Sequence, residues 1–203
     1  GAGPRRPAAP ASGGQEPSGA RGQGSERPAA VTAQSGGQVS RKATVEGPGR
    51  WRIEKGVLIG LDVAQDYRAT KIRFGDPRWT KYVMTAKVMS RIPAGCSDAN
   101  GFVFQVHAAP GGRDFVGVNY GYLGNKYATV TRYDNEAPSQ IVQKLASVVH
   151  DQWYDVRIEV DGESIKFLIN DQPVHKKIPA VGRRSGQFGF ACNVAEYHIK
   201  DLR

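Results

Sequence analysis

Three carboxylates stand at alternate positions in Glu159-Val160-Asp161-Gly162-Glu163. On one strand face such a trio could supply the acid and nucleophile of a retaining glycosidase, which lie about 5–5.5 Å apart. Asp161-Gly162, however, is a tight-turn dipeptide, because it tolerates the positive φ angles that a hairpin turn requires. A turn there fans the three side chains into solvent, and the trio loses its common face. Two further oxygen donors, Asp98 and Asn100, stand in a loop bounded by Gly95 and Gly101. They form a candidate calcium site, although calcium takes about six to eight oxygens and Asp and Asn are also ordinary turn residues. The histidines (His107, His150, His175 and His198) are too scattered for zinc-ligand spacing. His107 is the candidate general acid or base, with an ordinary pKa near 6.5 suited to that task. Cys96 and Cys192 are too few for a four-cysteine zinc site or a disulfide-rich scaffold. Whether they bond to each other stays open, since sequence does not supply the geometry.

The 203 residues correspond to one domain, or one domain and a tail, at about 100–200 residues per domain. Residues 1–50 hold no Leu, Ile, Met, Phe, Tyr or Trp, and their larger apolar residues are Val31, Val39 and Val45. Such a stretch buries too little to offset about 1–2 kcal/mol of backbone entropy per residue. Residues 1–48 are therefore expected to be a disordered Gly/Pro/Ala-rich linker or tail, and residues 49–203 the folded domain. No run approaches the roughly 18 apolar residues of a membrane-spanning helix. No charged-then-apolar segment opens the sequence, so an export signal is expected to be absent or already removed.

Period-two alternation runs through the folded part, and no convincing helical stripe interrupts it. Trp51–Ile59 reads as a hairpin about Lys55-Gly56. Strands follow at Tyr67–Phe74, Tyr82–Met89 and Phe102–Val106. Phe115–Tyr122 and Tyr127–Tyr133 flank a Gly124-Asn125 turn. The clearest unit is Trp153–Val160, Asp161-Gly162 and Ser164–Ile169, in which Val156, Ile158 and Val160 share one face. Phe188, Phe190 and Cys192 alternate next, so Cys192 reads as a buried thiol. Tyr197, Ile199 and Leu202 close the pattern. Many short strands with turn residues between them predict an all-β, antiparallel two-sheet sandwich.

The order of these segments resembles the concanavalin A-like lectin/glucanase superfamily of jelly rolls, with laminin-G-like and 3-keto-disaccharide hydrolase-like domains as its nearest parts. The resemblance is carried by Trp51–Gly60, Arg78–Val88, Asn100–Phe104, Trp153–Val174, Gly186–Phe190 and Tyr197–Leu202. It covers almost all of the folded part. It implies a jelly roll whose concave face binds sugars, with calcium on the rim in many relatives. Glu159–Glu163 also resembles the Glu-x-Asp-x-Glu signature of laminarinase-type glycosidases, but it stands where the turn is expected.

Strand parity nominates the residues of that face. If Phe102, Phe104 and Val106 point inward, Gln105 and His107 point outward. By the same rule Asn119 lies opposite Val118, while Tyr127, Thr129, Thr131 and Tyr133 lie opposite Ala128 and Val130. Amides, hydroxyls and aromatic rings in one row suit a sugar, whose hydroxyls need hydrogen bonds and whose C–H face needs a ring. Few carboxylates share that face, which argues against catalysis. The expected function is a non-catalytic carbohydrate-binding or adhesion-type module on a flexible tether, acting outside the cytoplasm on a cell-surface glycan. The alternatives are a glycoside-cleaving enzyme and a laminin-G-like module that binds protein through its rim loops. The formal charge of +9 suits anionic polysaccharide as well as nucleic acid. No DNA- or RNA-recognition motif accompanies Lys176-Lys177 or Arg183-Arg184, so specific nucleic-acid binding is not expected.

Overall fold

The computed structural model describes residues 43–47, 49–63, 69–179 and 183–203. The expected tail lies outside the described residues at 1–42 and at 48. Residues 43–47 correct its boundary, because Thr44–Glu46 form a strand, β1, paired with the strand Thr70–Phe74. Ala43 is buried and Val45 packs on the core, so two modest apolar side chains suffice once a neighbouring strand supplies the ladder.

The remaining strands are β2 (Arg50–Glu54), β3 (Val57–Asp62), β4 (Thr70–Phe74), β5 (Tyr82–Arg91), β6 (Phe102–Ala108) and β7 (Phe115–Gly121). A short helical turn, Tyr122–Asn125, leads into β8 (Tyr127–Asp134) and β9 (Ala137–Leu145). Then come β10 (Trp153–Val160), β11 (Ser164–Ile169), β12 (Gln172–Pro179), β13 (Gln187–Cys192) and β14 (Ala195–Lys200). They build two antiparallel sheets of seven strands, ordered β1-β4-β13-β6-β7-β8-β9 and β12-β11-β10-β5-β14-β3-β2. The predicted all-β two-sheet sandwich is the observed architecture. Among the described residues no helix is long and apolar enough to cross a membrane.

The core lies between the sheets and is rich in aromatic side chains. Phe104 and Phe190 of the first sheet meet edge-on at 5.7 Å, and Phe104 meets Phe167 of the second sheet at the same distance. Each buried Phe contributes roughly 1.5–3 kcal/mol relative to exposure. Val156, Ile158 and Val160 enter this core as their alternation requires. Asp161 closes the β10–β11 hairpin by accepting bonds from the Glu163 and Ser164 amides at 3.0 and 2.6 Å. The Glu159–Glu163 trio is thereby split between a strand face and a turn. Cys192 is buried and donates its thiol hydrogen to the Ala195 carbonyl at 2.9 Å; both cysteines are free.

Candidate functional site

The outer face of the first sheet is set by its register. Arg73 pairs with Gly189, Gly189 with Gln105, Gln105 with Gly117, and Gly117 with Thr131. Laterally paired residues share a face, so these five form one row across β4, β13, β6, β7 and β8. The next row holds Val103, Asn119 and Thr129. A third pairs Phe115 with Tyr133, whose rings stack at 4.3 Å and 14°. Gln105, Asn119, Thr129, Thr131 and Tyr133 are thus brought onto one face. Tyr127 stands at its far end, half-buried, opposite Leu145.

His107 leaves this group, which corrects the parity reading. From Gly189↔Gln105 to Gln187↔Ala108, β6 spends one residue more than β13, which is a β-bulge. His107 carries the bulge at φ +52°, and alternation fails there. Its amide donates to the Tyr82 hydroxyl at 3.4 Å, and its ring meets the Tyr82 ring edge-on at 6.1 Å, against a strand of the other sheet. Gly186 makes the bulge fit, since a Cβ there would lie 2.2 Å from the His107 carbonyl carbon. Burial, helped by the charge of Arg183, lowers the His107 pKa to about 4. The imidazole is neutral at pH 7 and displaced from the row, so it is poorly placed as an acid–base for chemistry there.

The floor itself is buried. Gln105, Asn119 and Thr129 are at most 1% exposed. Asn119 Nδ2 donates to Thr129 Oγ1 at 2.8 Å, but Asn119 Oδ1 and both amide atoms of Gln105 have no hydrogen-bond partner among the described residues. The glycines on either side of Gln105 explain how it is enclosed. A Cβ on Gly189 would lie 2.6 Å from Arg73 Cγ and 3.3 Å from Gln105 Oε1; one on Gly117 would lie 3.0 Å from Tyr133 Cε2. Arg73 therefore leans in over one glycine and Tyr133 over the other. Burial raises the Tyr133 pKa, and a hydrogen-bonding contact with Tyr122 adds to it. Tyr122, in the helical turn before β8, is thus close enough to Tyr133 to perturb it.

Arg73, Lys71, Phe115 and Tyr122 were not among the predicted site residues. For the first two the signal was present: Lys71 and Arg73 alternate with Ile72 and Phe74. Arg73 is 1% exposed, donates through Nη1 to the Ala109 carbonyl at 3.1 Å, and pairs through Nη2 with the Glu46 carboxylate. Lys71 Nζ lies 3.3 Å from Glu136 Oε1 and 5.6 Å from the centre of the Phe115 ring. The Ala109–Asp114 loop comes back over this end, with Gly112 against the Arg73 guanidinium.

The expected calcium residues Asp98 and Asn100 are engaged in hydrogen bonds within and between their loops. Asn100 Nδ2 donates to the Asn193 carbonyl at 3.0 Å, and Asn100 Oδ1 accepts from the Gly124 amide at 3.2 Å. Asp98 Oδ1 accepts from the Ala99 amide at 2.8 Å. Among the described residues no group of three or more His, Cys, Asp or Glu is placed to hold a metal. Asn100 works as a clamp between loops, an ordinary use of a turn amide.

The architecture is a two-sheet antiparallel jelly-roll sandwich, a fold shared with solved carbohydrate-binding and galectin-like structures. Carbohydrate binding module CBM66 from Bacillus subtilis superimposes with a TM-score of 0.63 at 13% identity, over 78% of this chain and 92% of that one. A protein of unknown function with a galectin-like fold, also from Bacillus subtilis, gives 0.56 at 11% identity, over 79% and 87%. At such identities the likeness is one of fold. No protein-family model matches the sequence, and no curated protein matches it.

Proposed function

We propose that this chain is a non-catalytic carbohydrate-binding module that takes a saccharide on the outer face of its first sheet. The observation that carries the reading is the buried, unpartnered amide of Gln105 beside the open acceptor of Asn119. Leaving such a group unsatisfied costs about 1–3 kcal/mol, which a purely structural floor would avoid with an apolar residue of similar shape. Sugar hydroxyls can donate to Gln105 Oε1 and Asn119 Oδ1 and accept from Gln105 Nε2. Thr131 adds a hydroxyl, and Tyr133, released from Tyr122, offers its ring to the C–H face of the sugar. The fold shared with a carbohydrate binding module gives the reading a precedent. The Gly/Pro/Ala-rich residues 1–42 would tether the module, and a glycan ligand favours action outside the cytoplasm.

The test is a glycan array probed with the full chain and with the Asn119→Ala, Tyr133→Ala double variant. The reading expects saccharide hits that the double variant loses while its circular dichroism is unchanged. A silent array, hits that survive both substitutions, or capture of proteins alone would overturn it.

A further inference from the structure

The polar row ends in a cation, and the way that cation is neutralised bears on the ligand. Arg73 shares the row with Gln105, two strands or about 10 Å away. A buried guanidinium needs an anion, and here the anion comes from the periphery. Glu46 belongs to β1, a three-residue strand that among the described residues lies on the sheet's edge and pairs with β4 alone. Its side chain is 32% exposed, against 1% for Arg73. Arg73 Nε, also buried, has no hydrogen-bond partner among the described residues. Lys71, on the same face of β4, repeats the arrangement: its carboxylate is Glu136, in the β8–β9 turn and 58% exposed. Two cations at the end of the floor are thus matched by carboxylates carried on an edge strand and a turn, the parts of a sheet that open most readily.

We infer that the saccharide is acidic, a uronate-type sugar whose carboxylate takes the place of Glu46 on Arg73 while the ring lies over Gln105 and Asn119. This rests on the carbohydrate-binding reading and names the ligand class. A planar guanidinium holds a carboxylate through paired hydrogen bonds, a geometry a neutral sugar cannot reproduce. Arg73 Nε is the second donor for such a pair. Lys71, freed from Glu136, would meet a second carboxylate along a polymer.

The experiment measures binding of the full chain to polygalacturonate, alginate and hyaluronate, each beside its carboxyl-reduced form, with dextran sulfate as a charge control. The expected result is at least about tenfold tighter binding of one acidic polymer than of its reduced form, the size of one charge-assisted contact. Glu46→Gln, which removes the resident carboxylate from an exposed edge, should tighten that binding severalfold. Arg73→Met should erase the preference; Arg73→Lys keeps the charge without the paired donors and should lose most of it. Equal binding of acidic and reduced forms, unmoved by Glu46→Gln, would overturn the acidic ligand while leaving the saccharide site standing. Dextran sulfate held as tightly as the uronate polymer and indifferent to Arg73→Lys would reduce the effect to charge attraction and also overturn it. Failure to bind any saccharide would remove both this inference and the function beneath it.

Discussion

The two sheets obey the same alternation yet present opposite outer faces. On the second sheet much of the outward face, apart from residues such as Val83, Thr85 and Met89, is charged, exposed and paired. Lys87 meets Asp155 at 2.7 Å, Arg157 meets Glu159 at 2.7 Å, Arg91 meets Asp151 at 2.6 Å, and Lys200 lies 4.2 Å over the Trp153 ring. On the first sheet, beside the paired cations Lys71 and Arg73, the outward amides and hydroxyls are buried and, among the described residues, in part without partners. A face whose polar groups are satisfied by each other and by water asks for nothing more. A face whose polar groups are sealed and unsatisfied has chemistry left to do. The pattern of partners, rather than of residue types alone, marks the binding side.

Acid is the largest expected perturbation, and it falls on both sheets through one buried histidine each. His107 and His175 have pKa values lowered to about 4, in both cases chiefly by burial, with Arg183 and Lys144 adding. In the unfolded chain they return to about 6.5. Between those limits the unfolded state binds more protons. Stability is therefore full above about pH 6.5 and falls as the pH drops toward 4, by about 1.4 kcal/mol per unit for each histidine. Urea unfolding at pH 7, 5 and 4 should show this fall, and His107→Phe with His175→Phe should flatten it. An unchanged slope in the double variant would contradict the assignment.

Gly189→Val strikes the first sheet alone. Its Cβ would lie 2.6 Å from both Arg73 Cγ and the Ile72 carbonyl oxygen, so backbone must shift. A loss of about 1–3 kcal/mol is expected, together with glycan binding. Gln105→Leu sharpens the contrast in the other direction. Removing an unsatisfied buried amide should raise stability by about 1–2 kcal/mol while abolishing binding. A stability loss there would mean that the amide is satisfied after all. Smallest is Arg157→Ala on the second sheet, an exposed pair expected to change stability by less than about 0.5 kcal/mol and binding not at all.

Much of this was legible in the sequence wherever apolar residues alternate. The β2–β3 and β10–β11 hairpins, β5 and β13 follow from that rule. β1, β9 and β12 were not legible, because edge strands carry few apolar residues and tolerate proline, as Pro138, Pro173 and Pro179 show. Parity also placed Gln105, Asn119, Thr129, Thr131 and Tyr133 on one face. It failed at His107 because a bulge depends on the neighbouring strand, here on Gly186 and β13. Nor could it show that Tyr122 meets Tyr133 or that Glu46 meets Arg73, contacts that alternation within a single strand does not specify.

The side-chain amide resonances of Gln105 and Asn119, followed by NMR as a bound saccharide is titrated into the full chain, report the site most directly. Both should shift and saturate together with the binding isotherm, while resonances around Arg157 and Glu159 stay in place. Saturable shifts confined to the second sheet, or to the cleft of about 380 Å³ lined by Tyr120, Tyr154 and Val174, would contradict the account.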